Sequence, residues 1–316
     1  REAAKGNEAH GQGTGPAGHA GRSGALKQPD VIKITDSRDP RVAAFVSIRE
    51  KDLTSGHAGR FIVEGKVTLE TLLRRSRFKV ESLFLCETRL EPLADILEHV
   101  PDDVPVYVAP QDVMDAVAGF PMHRGVLACG VKGDSGAKAA LILSEVEGRA
   151  RAARGPSFDF AQDEPLPSTI LMLSDLSNHD NVGACFRNAA AFGADAVLLD
   201  GQCCDPLYRK AIRVSSGSSL WLPFAHGGSG AEMVKAARDA GYTVWAMTPR
   251  EDAALISSLS VPDRLAILLG AEGPGLPDDL IAAAVPVRIP MSAGFDSVNV
   301  ATAGAIALAH AFAARA

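Results

Sequence analysis

The sequence lacks a long hydrophobic run, although 47% of its 316 residues are hydrophobic. No apolar stretch reaches the roughly 18 residues that a membrane-spanning helix needs. We therefore exclude a helical membrane protein and expect no membrane among the partners. The length is sufficient for about two domains with cores of their own.

Cysteine is scarce, and its spacing is irregular. None of the five cysteines belongs to a C-x-x-C pair. They are Cys86, Cys129, Cys185, Cys203 and Cys204. An odd number without that spacing favours a reduced, cytoplasmic protein. No second histidine or cysteine stands at ligand spacing near His179 and Asp180, so we expect no metal site, and Cys203 and Cys204 are expected to pack.

The sequence also lacks a P-loop, because no G-K-[ST] triplet occurs in it. A glycine loop is present around Glu272, after an apolar run that predicts a buried strand. Its glycines have the order G-x-x-G-x-G, which is not the dinucleotide-binding order G-x-G-x-x-G. No acidic residue follows at the usual place, so a nicotinamide-dependent oxidoreductase is disfavoured.

Negative charge prevails overall, since the net charge is −6, and this argues mildly against nonspecific nucleic-acid binding. Between residues 38 and 79, however, ten Lys and Arg residues stand against five Asp and Glu residues. Two interpretations are open for this stretch. It is either the solvated basic end of a helix or a surface that faces phosphates.

Apolar periodicity divides the chain into four parts. Residues 1–30 are rich in glycine and predict a disordered tail, and residues 31–131 predict a compact α/β domain. Residues 132–167 predict a linker with a short helix near residues 141–151. In residues 168–316 strands and helices alternate, which predicts a parallel sheet with helices on both faces.

Three polar motifs interrupt the last part. The first, N-V-G-A-C-F-R-N-A at residues 181–189, predicts a helix that Asn181 caps and that carries Arg187. The second is the G-A-E-G-P-G-L loop at residues 270–276. The third joins I-P-M at residues 289–291 to S-V-N at residues 297–299, before an alanine-rich helix that Ser297 or Asn299 caps.

Together, and in this order, the motifs resemble the SpoU family of RNA 2′-O-ribose methyltransferases, in the knotted SPOUT superfamily. The resemblance covers residues 168–312, with Val298 where the family often has leucine. The stretches F-I-V-E-G at residues 61–65 and H-R-G-V at residues 123–126 also resemble the family's N-terminal domain, which is similar to an RNA-binding ribosomal protein.

The resemblance implies S-adenosylmethionine as the cofactor and an RNA ribose hydroxyl as the methyl acceptor. By position, it implies that the cofactor contacts Gly270, Ile289 and Val298. The strand end at Met247, Thr248 and Pro249, and Met291 of the third motif, are expected to complete that pocket. A glycine loop with apolar walls suits an adenine ring without any phosphate site.

The family's motif-one arginine implies a catalytic role for Arg187. The residues implied to orient Arg187 and the ribose are Asn181, Glu272, Ser297 and Asn299. Arginine stays protonated in proteins, so it is a poor general base. The sequence leaves two routes for removal of the hydroxyl proton. Either Arg187 itself accepts the proton, or a substrate phosphate that Arg187 binds bidentately accepts it.

Between the first two motifs, Arg209 and Arg213 are four residues apart and share a helix face. They predict either an RNA-phosphate contact or an ordinary charged surface helix. The alanine-rich helix is apolar on every side, so we expect a homodimer that covers it. Ribosomal RNA is the favoured substrate, and tRNA is the alternative substrate. An alternative function is that of a non-catalytic RNA-binding module with this fold.

Overall fold

A computed structural model describes residues 30–46, 48, 59–132, 139–154, 168–295 and 297–316. The predicted tail therefore lies outside the described residues, apart from its last position. Within the described ranges, no helix has both the length and the apolar character that crossing a membrane requires.

The first domain is built on a five-stranded mixed sheet in the order β1-β4-β3-β5-β2. Strands β1, β4 and β3 are parallel neighbours, whereas β5 is antiparallel to both β3 and β2. The strands are β1 Val31–Lys33, β2 Arg60–Glu64, β3 Lys79–Cys86, β4 Val106–Ala109 and β5 Val126–Val131. The helices are the 3-10 helix Pro40–Phe45, α1 Lys66–Arg75, α2 Ala94–Leu97 and α3 Gln111–Ala118.

One predicted helix of this domain is wrong in its length. The apolar pattern predicts a single helix over residues 90–100, but the chain forms the 3-10 turns Glu87–Arg89 and Glu91–Leu93 before the one-turn α2. Pro92 lies within the second turn. Proline has no amide hydrogen and restricts the residue before it, so a continuous α-helix cannot pass through this position.

The second domain contains a seven-stranded sheet in the order β10-β12-β9-β11-β6-β7-β8. Every pairing in it is parallel, which confirms the prediction from the alternating pattern. Its strands are β6 Ser168–Leu173, β7 Ala196–Leu199, β8 Phe224–His226, β9 Thr243–Met247, β10 Ala254–Leu255, β11 Arg264–Leu269 and β12 Val285–Arg288. The two short edge strands β8 and β10 were not predicted, because so few residues show no periodicity.

Helices cover both faces of this sheet. They are α4 Ala139–Arg154, α5 His179–Ala191, α6 Arg209–Val214, α7 Gly230–Asp239, α8 Asp278–Ala282 and α9 Val300–Ala313, with the 3-10 turns Ser218–Leu220 and Ile256–Ser258. Helix α4 falls in the predicted linker, where a short helix was expected. It buries Ile142, Leu143 and Val146 in the core on one face of the second sheet. Residues 139–154 are therefore part of the second domain's packing as well as a connection.

The two domains share a hydrophobic core. A chain of aromatic contacts runs from Phe61 of β2 through Phe78 to Phe224 of β8 and on to Phe186 of α5, with ring centroids 5.3, 6.2 and 5.6 Å apart. The backbone amide of Arg77 also donates to the carbonyl of Leu220 across the boundary. Because Phe186 precedes Arg187, the packing of the first domain reaches the helix that carries the predicted catalytic arginine.

Helix α9 packs against α5 and β11. The approach to β11 is close, since a Cβ atom on Gly304 would lie 2.8 Å from a methyl carbon of Leu269. The expectation that a second chain covers the remainder of α9 stays a prediction, since this packing covers only part of the helix. Its far side leaves Ile306 and Phe312 exposed, because one helix and one sheet cover only one face.

Candidate functional site

Asn299 ties the third motif to the first. It caps α9, where its Oδ1 accepts from the amides of Ala301 and Thr302 at 2.9 and 3.3 Å. Its Nδ2 donates to Oδ1 of Asn181 at 2.9 Å. Asn188 adds a second link, donating from Nδ2 to the carbonyl of Ala301 at 2.9 Å. These contacts fix α5 and α9 side by side.

The prediction that Asn181 caps α5 is wrong. The helix begins at His179, and Asn178 caps it by accepting from the amide of Asp180 at 2.8 Å. Asn181 therefore lies within the first helical turn, where it is buried. Its side chain contacts α9 instead of the end of its own helix.

A cavity of about 350 Å³ lies at the carboxyl ends of β9, β11 and β12. Open α/β sheets bind ligands outside this edge. All seven residues predicted to contact a cofactor or complete its pocket line it, namely Met247, Thr248, Pro249, Gly270, Ile289, Met291 and Val298. Three of the five residues predicted to be catalytic line it too, namely Glu272, Ser297 and Asn299.

Gly270 is required by close backbone packing at this cavity. A Cβ atom there would lie 2.5 Å from the amide nitrogen of Leu276 and 2.6 Å from the carbonyl carbon of Gly275. Both are backbone atoms, so neither can move aside without the loop. Gly273 and Gly275 adopt φ angles of 86° and 73°, which glycine allows without strain. The glycine loop is thus specified by its own geometry, and Glu272 stands exposed at its tip.

Met247 lines the cavity as predicted, whereas the sequence missed several other lining residues, among them Leu269, Ala271 and Ala303. Two signals could have found some of them. Leu269 is the last residue of a strand that ends at the cavity. Ala303 stands one helical turn after the cap Asn299, so it points to the same side of α9.

Arg187 does not line this cavity. It is exposed on α5 and makes no hydrogen bond or ion pair with the residues that the structure describes. Its neighbours Phe186 and Asn188 face the protein, one in the core and one bonded to α9. The structure therefore brings Asn181, Ser297, Asn299 and Glu272 to one region and leaves Arg187 on the outer flank of the helix.

Arg209 and Arg213 face the first domain. The guanidinium of Arg209 donates to Oε2 of Glu64, and Nη1 of Arg213 lies 3.5 Å from the same oxygen. Glu64 belongs to β2 and its side chain is only 8% exposed. The pair is thus an interdomain ion cluster, which neither of the two sequence interpretations anticipated.

The cysteines behave as packing residues. Burial raises the pKa of the Cys185 thiol to about 12, and burial also raises the pKa of Cys203. The Cys203 thiol donates to the carbonyl of Leu173 at 3.3 Å.

The ring of His179 lies against that of Tyr208, with centroids 4.0 Å apart. In the described part of the chain, no three His, Cys, Asp or Glu residues are grouped as metal ligands would be.

Comparisons with known proteins agree with the motif assignment. The model of the SpoU rRNA Methylase family matches residues 168–309. An uncharacterised tRNA/rRNA methyltransferase of Mycobacterium tuberculosis is 37% identical over 286 residues, covering 88% of this chain and 90% of that protein. A 23S rRNA (guanosine-2′-O-)-methyltransferase of Acinetobacter baylyi is 26% identical, covering 78% of this chain and 94% of that protein.

Solved structures show the same fold. An AdoMet-bound rRNA methyltransferase from Sinorhizobium meliloti superposes with a TM-score of 0.68 at 22% identity, covering 89% of this chain and 97% of that one. Both domains therefore have counterparts in a single solved chain. On the ordered motifs, the family match and the near full-length relative, the chain belongs to the SpoU rRNA Methylase family.

Proposed function

We propose that this protein is an S-adenosylmethionine-dependent methyltransferase that modifies a ribose 2′-hydroxyl of structured RNA. The observation that carries the proposal is the cavity at the carboxyl ends of β9, β11 and β12. There the cofactor candidates and three catalytic candidates meet although they come from the second motif, the third motif and the strand end that follows β9. The relative named as a guanosine-2′-O-methyltransferase supports the same chemistry.

The residues of the cavity fit S-adenosylmethionine. A volume of about 350 Å³ lies within the range of small-molecule sites, about 300 to 1,000 Å³. Ile289, Met291 and Val298 supply apolar surface for an adenine ring, while Gly270 leaves backbone groups within reach. When bound, this cofactor supplies a methyl group activated by a sulfonium. Among the lining residues that the structure describes, Glu272 is the one acidic side chain, and the sulfonium is cationic.

Asn299 is suited to position the ribose. Its Oδ1 is taken by the amides of α9, and one of its two Nδ2 hydrogens is taken by Asn181. The side chain is therefore fixed in orientation, and the second Nδ2 hydrogen can donate to a ribose oxygen. Ser297, two residues earlier, supplies a hydroxyl at the same rim of the cavity.

Arg187 is suited to hold a substrate phosphate. Its guanidinium is exposed, and a planar fork of donors matches phosphate oxygens bidentately. Arginine keeps its proton, so the clamped phosphate is the better acceptor for the hydroxyl proton. This assignment favours one of the two routes that the sequence leaves open.

A homodimer would bring Arg187 to a cavity. Arg187 lies outside the cavity of its own chain, and the outer face of α9 exposes Ile306 and Phe312 beside the same helix pair. Pairing of two such faces about a twofold axis would cover this apolar surface. In the dimer that we propose, Arg187 of one protomer acts at the cavity of its partner.

Two features of the fold belong to the proposal as well. The first domain serves as the RNA-binding part, similar to a ribosomal protein, as the resemblance at residues 61–65 and 123–126 implies. The second domain carries the knot of the SPOUT superfamily. The return of α9 onto α5 and β11 after the last strand supports that knot.

Ribosomal RNA is the favoured substrate over tRNA. Support comes from the Acinetobacter relative, whose name specifies 23S rRNA and which this chain matches over 94% of its length. The first domain supports the same choice, since it offers a surface beyond the one needed for methyl transfer.

The cofactor assignment is tested by calorimetry on the purified protein. We expect S-adenosylmethionine, or its demethylated product, to bind with one site per chain, and NAD not to bind. The glycine loop lacks the dinucleotide-binding order, so it offers no pyrophosphate site. Binding of NAD without binding of either methionine-derived ligand would refute the proposal.

A further inference from the structure

A second cavity, of about 570 Å³, opens where the two domains meet. We call it the seam cavity, and its charged lining is Glu64, Lys66, Arg89, Arg124 and Arg213. Four cations thus surround one carboxylate. A concave surface lined mainly by one sign of charge concentrates ions of the opposite sign.

Glu64 pairs with two arginines of the seam cavity and with Arg209, which does not line it. The Glu64 side chain is only 8% exposed, accepts from Arg209, and lies 3.5 Å from Nη1 of Arg213 and 3.9 Å from Nε of Arg124. One carboxylate neutralises only one of these three guanidinium charges. The cluster is therefore preassembled, but its positive charge is not balanced from within.

Donors in this cavity remain unsatisfied. Arg89 donates from Nη2 to the carbonyl of His123 at 3.0 Å, while its Nε is buried and has no partner in the described part of the chain. Helix α1 also begins here, at Gly65, with φ of 101° and no side-chain cap. The first-turn residues Lys66, Val67 and Thr68 line the cavity. The positive end of the helix dipole adds to the attraction for an anion.

We propose that the seam cavity binds a backbone phosphate of the RNA substrate. This inference rests on the proposed function and extends it to a second point of contact with the same molecule. Guanidinium and phosphate groups form charge-assisted hydrogen bonds, which suits a cavity with several convergent arginines. Among the Lys and Arg residues that the structure describes between 38 and 79, only Lys66 lines this cavity, so its arginines come from elsewhere in the sequence.

Helix α6 connects the seam cavity to α5. It contributes Arg213 to the cavity, and three residues earlier Lys210 forms an ion pair with Asp180 of α5 at 2.8 Å. The two helices touch closely, since a Cβ atom on Gly183 would lie 2.7 Å from the carbonyl oxygen of Ala211. A phosphate held at the seam therefore fixes the RNA relative to the helix that carries Arg187.

The test compares Lys66→Gln/Arg124→Gln with the control Lys235→Gln. Arg124 is the most exposed of the cavity's ion-paired arginines, at 53%, and the side chain of Lys66 is also exposed, so the double change should spare the fold. Lys235 lies on α7, 75% exposed, and does not line the cavity. Filter binding measures the affinity of each protein for transcribed 23S ribosomal RNA as salt is raised, and calorimetry with S-adenosylmethionine checks that each is folded.

We expect the double variant to bind the RNA about tenfold more weakly or worse, with its log–log salt slope reduced by about 0.7 to 0.9 for the one lost phosphate contact. The control should stay within about twofold of wild type with nearly the wild-type slope, since a surface charge that touches no phosphate releases no counterion. S-adenosylmethionine should bind all three proteins alike.

Three results would overturn the inference. Equal salt slopes for the double variant and the control would refute the proposed phosphate contact at the seam cavity, but they would not contradict the proposed function. Failure of the wild-type protein to bind this RNA even at low salt would contradict both the phosphate contact and the proposed function. If inorganic pyrophosphate binds the wild-type protein but not the double variant, while their RNA slopes agree, the cavity takes a free anion instead of RNA.

Discussion

At the scale of single residues, Gly270 is the position where the candidate site tolerates the least change. We predict that Gly270→Ala weakens binding of S-adenosylmethionine at least about tenfold, roughly 1.4 kcal/mol. The added Cβ would meet backbone atoms of Gly275 and Leu276, so the loop that forms one wall of the cavity must shift. Calorimetric titration measures the change.

Gly148→Ala is the matched control for this substitution. Gly148 lies on α4, and a Cβ atom there would meet nothing within 4 Å. The control should bind the cofactor as the wild type does and gain about 0.5 to 1 kcal/mol of stability, because alanine favours a helix. Equal affinities for the two variants would contradict the tight packing at Gly270.

The role of a residue was predictable from the sequence where a local motif determines it. The hydrogen-bond partners that lie far away in the sequence were not predictable. Asn299 was placed as a helix cap because its side chain bonds within its own turn. The bond from Asn299 to Asn181 spans 118 positions, and that from Arg209 to Glu64 spans 145. No local pattern encodes such contacts. The cap assigned to Asn181 was wrong for the same reason, since a tertiary partner holds that side chain.

At the scale of elements, hydrogen bonds connect the residue Arg315, just after α9, to the N-terminal ends of β6 and β11. Arg315 donates to the carbonyls of Pro262 and Asp263 at 2.7 and 2.8 Å, and also to Oγ1 of Thr169. These groups lie before or within β11 and β6. The chain is thus held just after α9 ends, as well as at Asn299, the N-terminal cap of α9 that lines the cavity.

We predict that Arg315→Ala lowers the free energy of unfolding by about 1 to 3 kcal/mol, because several hydrogen bonds to a charged group are lost together. Denaturant titration followed by the fluorescence of Trp221 and Trp245 measures it. Lys235→Ala is the control, since its exposed pair with Asp239 contributes about 0 to 1 kcal/mol. If Arg315→Ala lowers the free energy of unfolding no more than the control does, the hydrogen bonds of Arg315 do not stabilise the fold.

Most elements of the second domain were predictable because its strands are buried apolar runs bounded by polar turns. The apolar runs at residues 196–199 and 243–247 predict strands, and β7 and β9 have these bounds. The parallel sheet follows from the alternation with helices. The broken helix near Pro92 and the short edge strands escaped prediction, since their few residues depend on neighbours distant in sequence. The cofactor candidates gathered at one edge because parallel strands place their carboxyl ends together.

At the scale of the whole molecule, the exposed face of α9 argues for association of two chains. Ile306 is 38% exposed and Phe312 53%, on a helix otherwise packed in the domain. We predict that Ile306→Glu yields a monomer and lowers methyl transfer at least about tenfold, because a buried unpaired charge opposes a close interface. Sedimentation at micromolar concentration reports the state of association.

The control for that change is Leu141→Glu. Leu141 is 63% exposed on α4, away from α9, so the variant should stay dimeric and active. A wild-type monomer with full activity would contradict the dimer. It would also require Arg187 to reach the cavity of its own chain.

The most direct test of the whole account is mass-spectrometric mapping of ribose methylation. Transcribed 23S ribosomal RNA and unmodified tRNA would each be incubated with the purified protein and S-adenosylmethionine. The account predicts a 2′-O-methylated nucleotide at a defined position, in ribosomal RNA before tRNA, and its loss with Arg187→Ala, while that variant still binds the cofactor. Methylation of a base instead of a ribose, or undiminished transfer by Arg187→Ala, would contradict it.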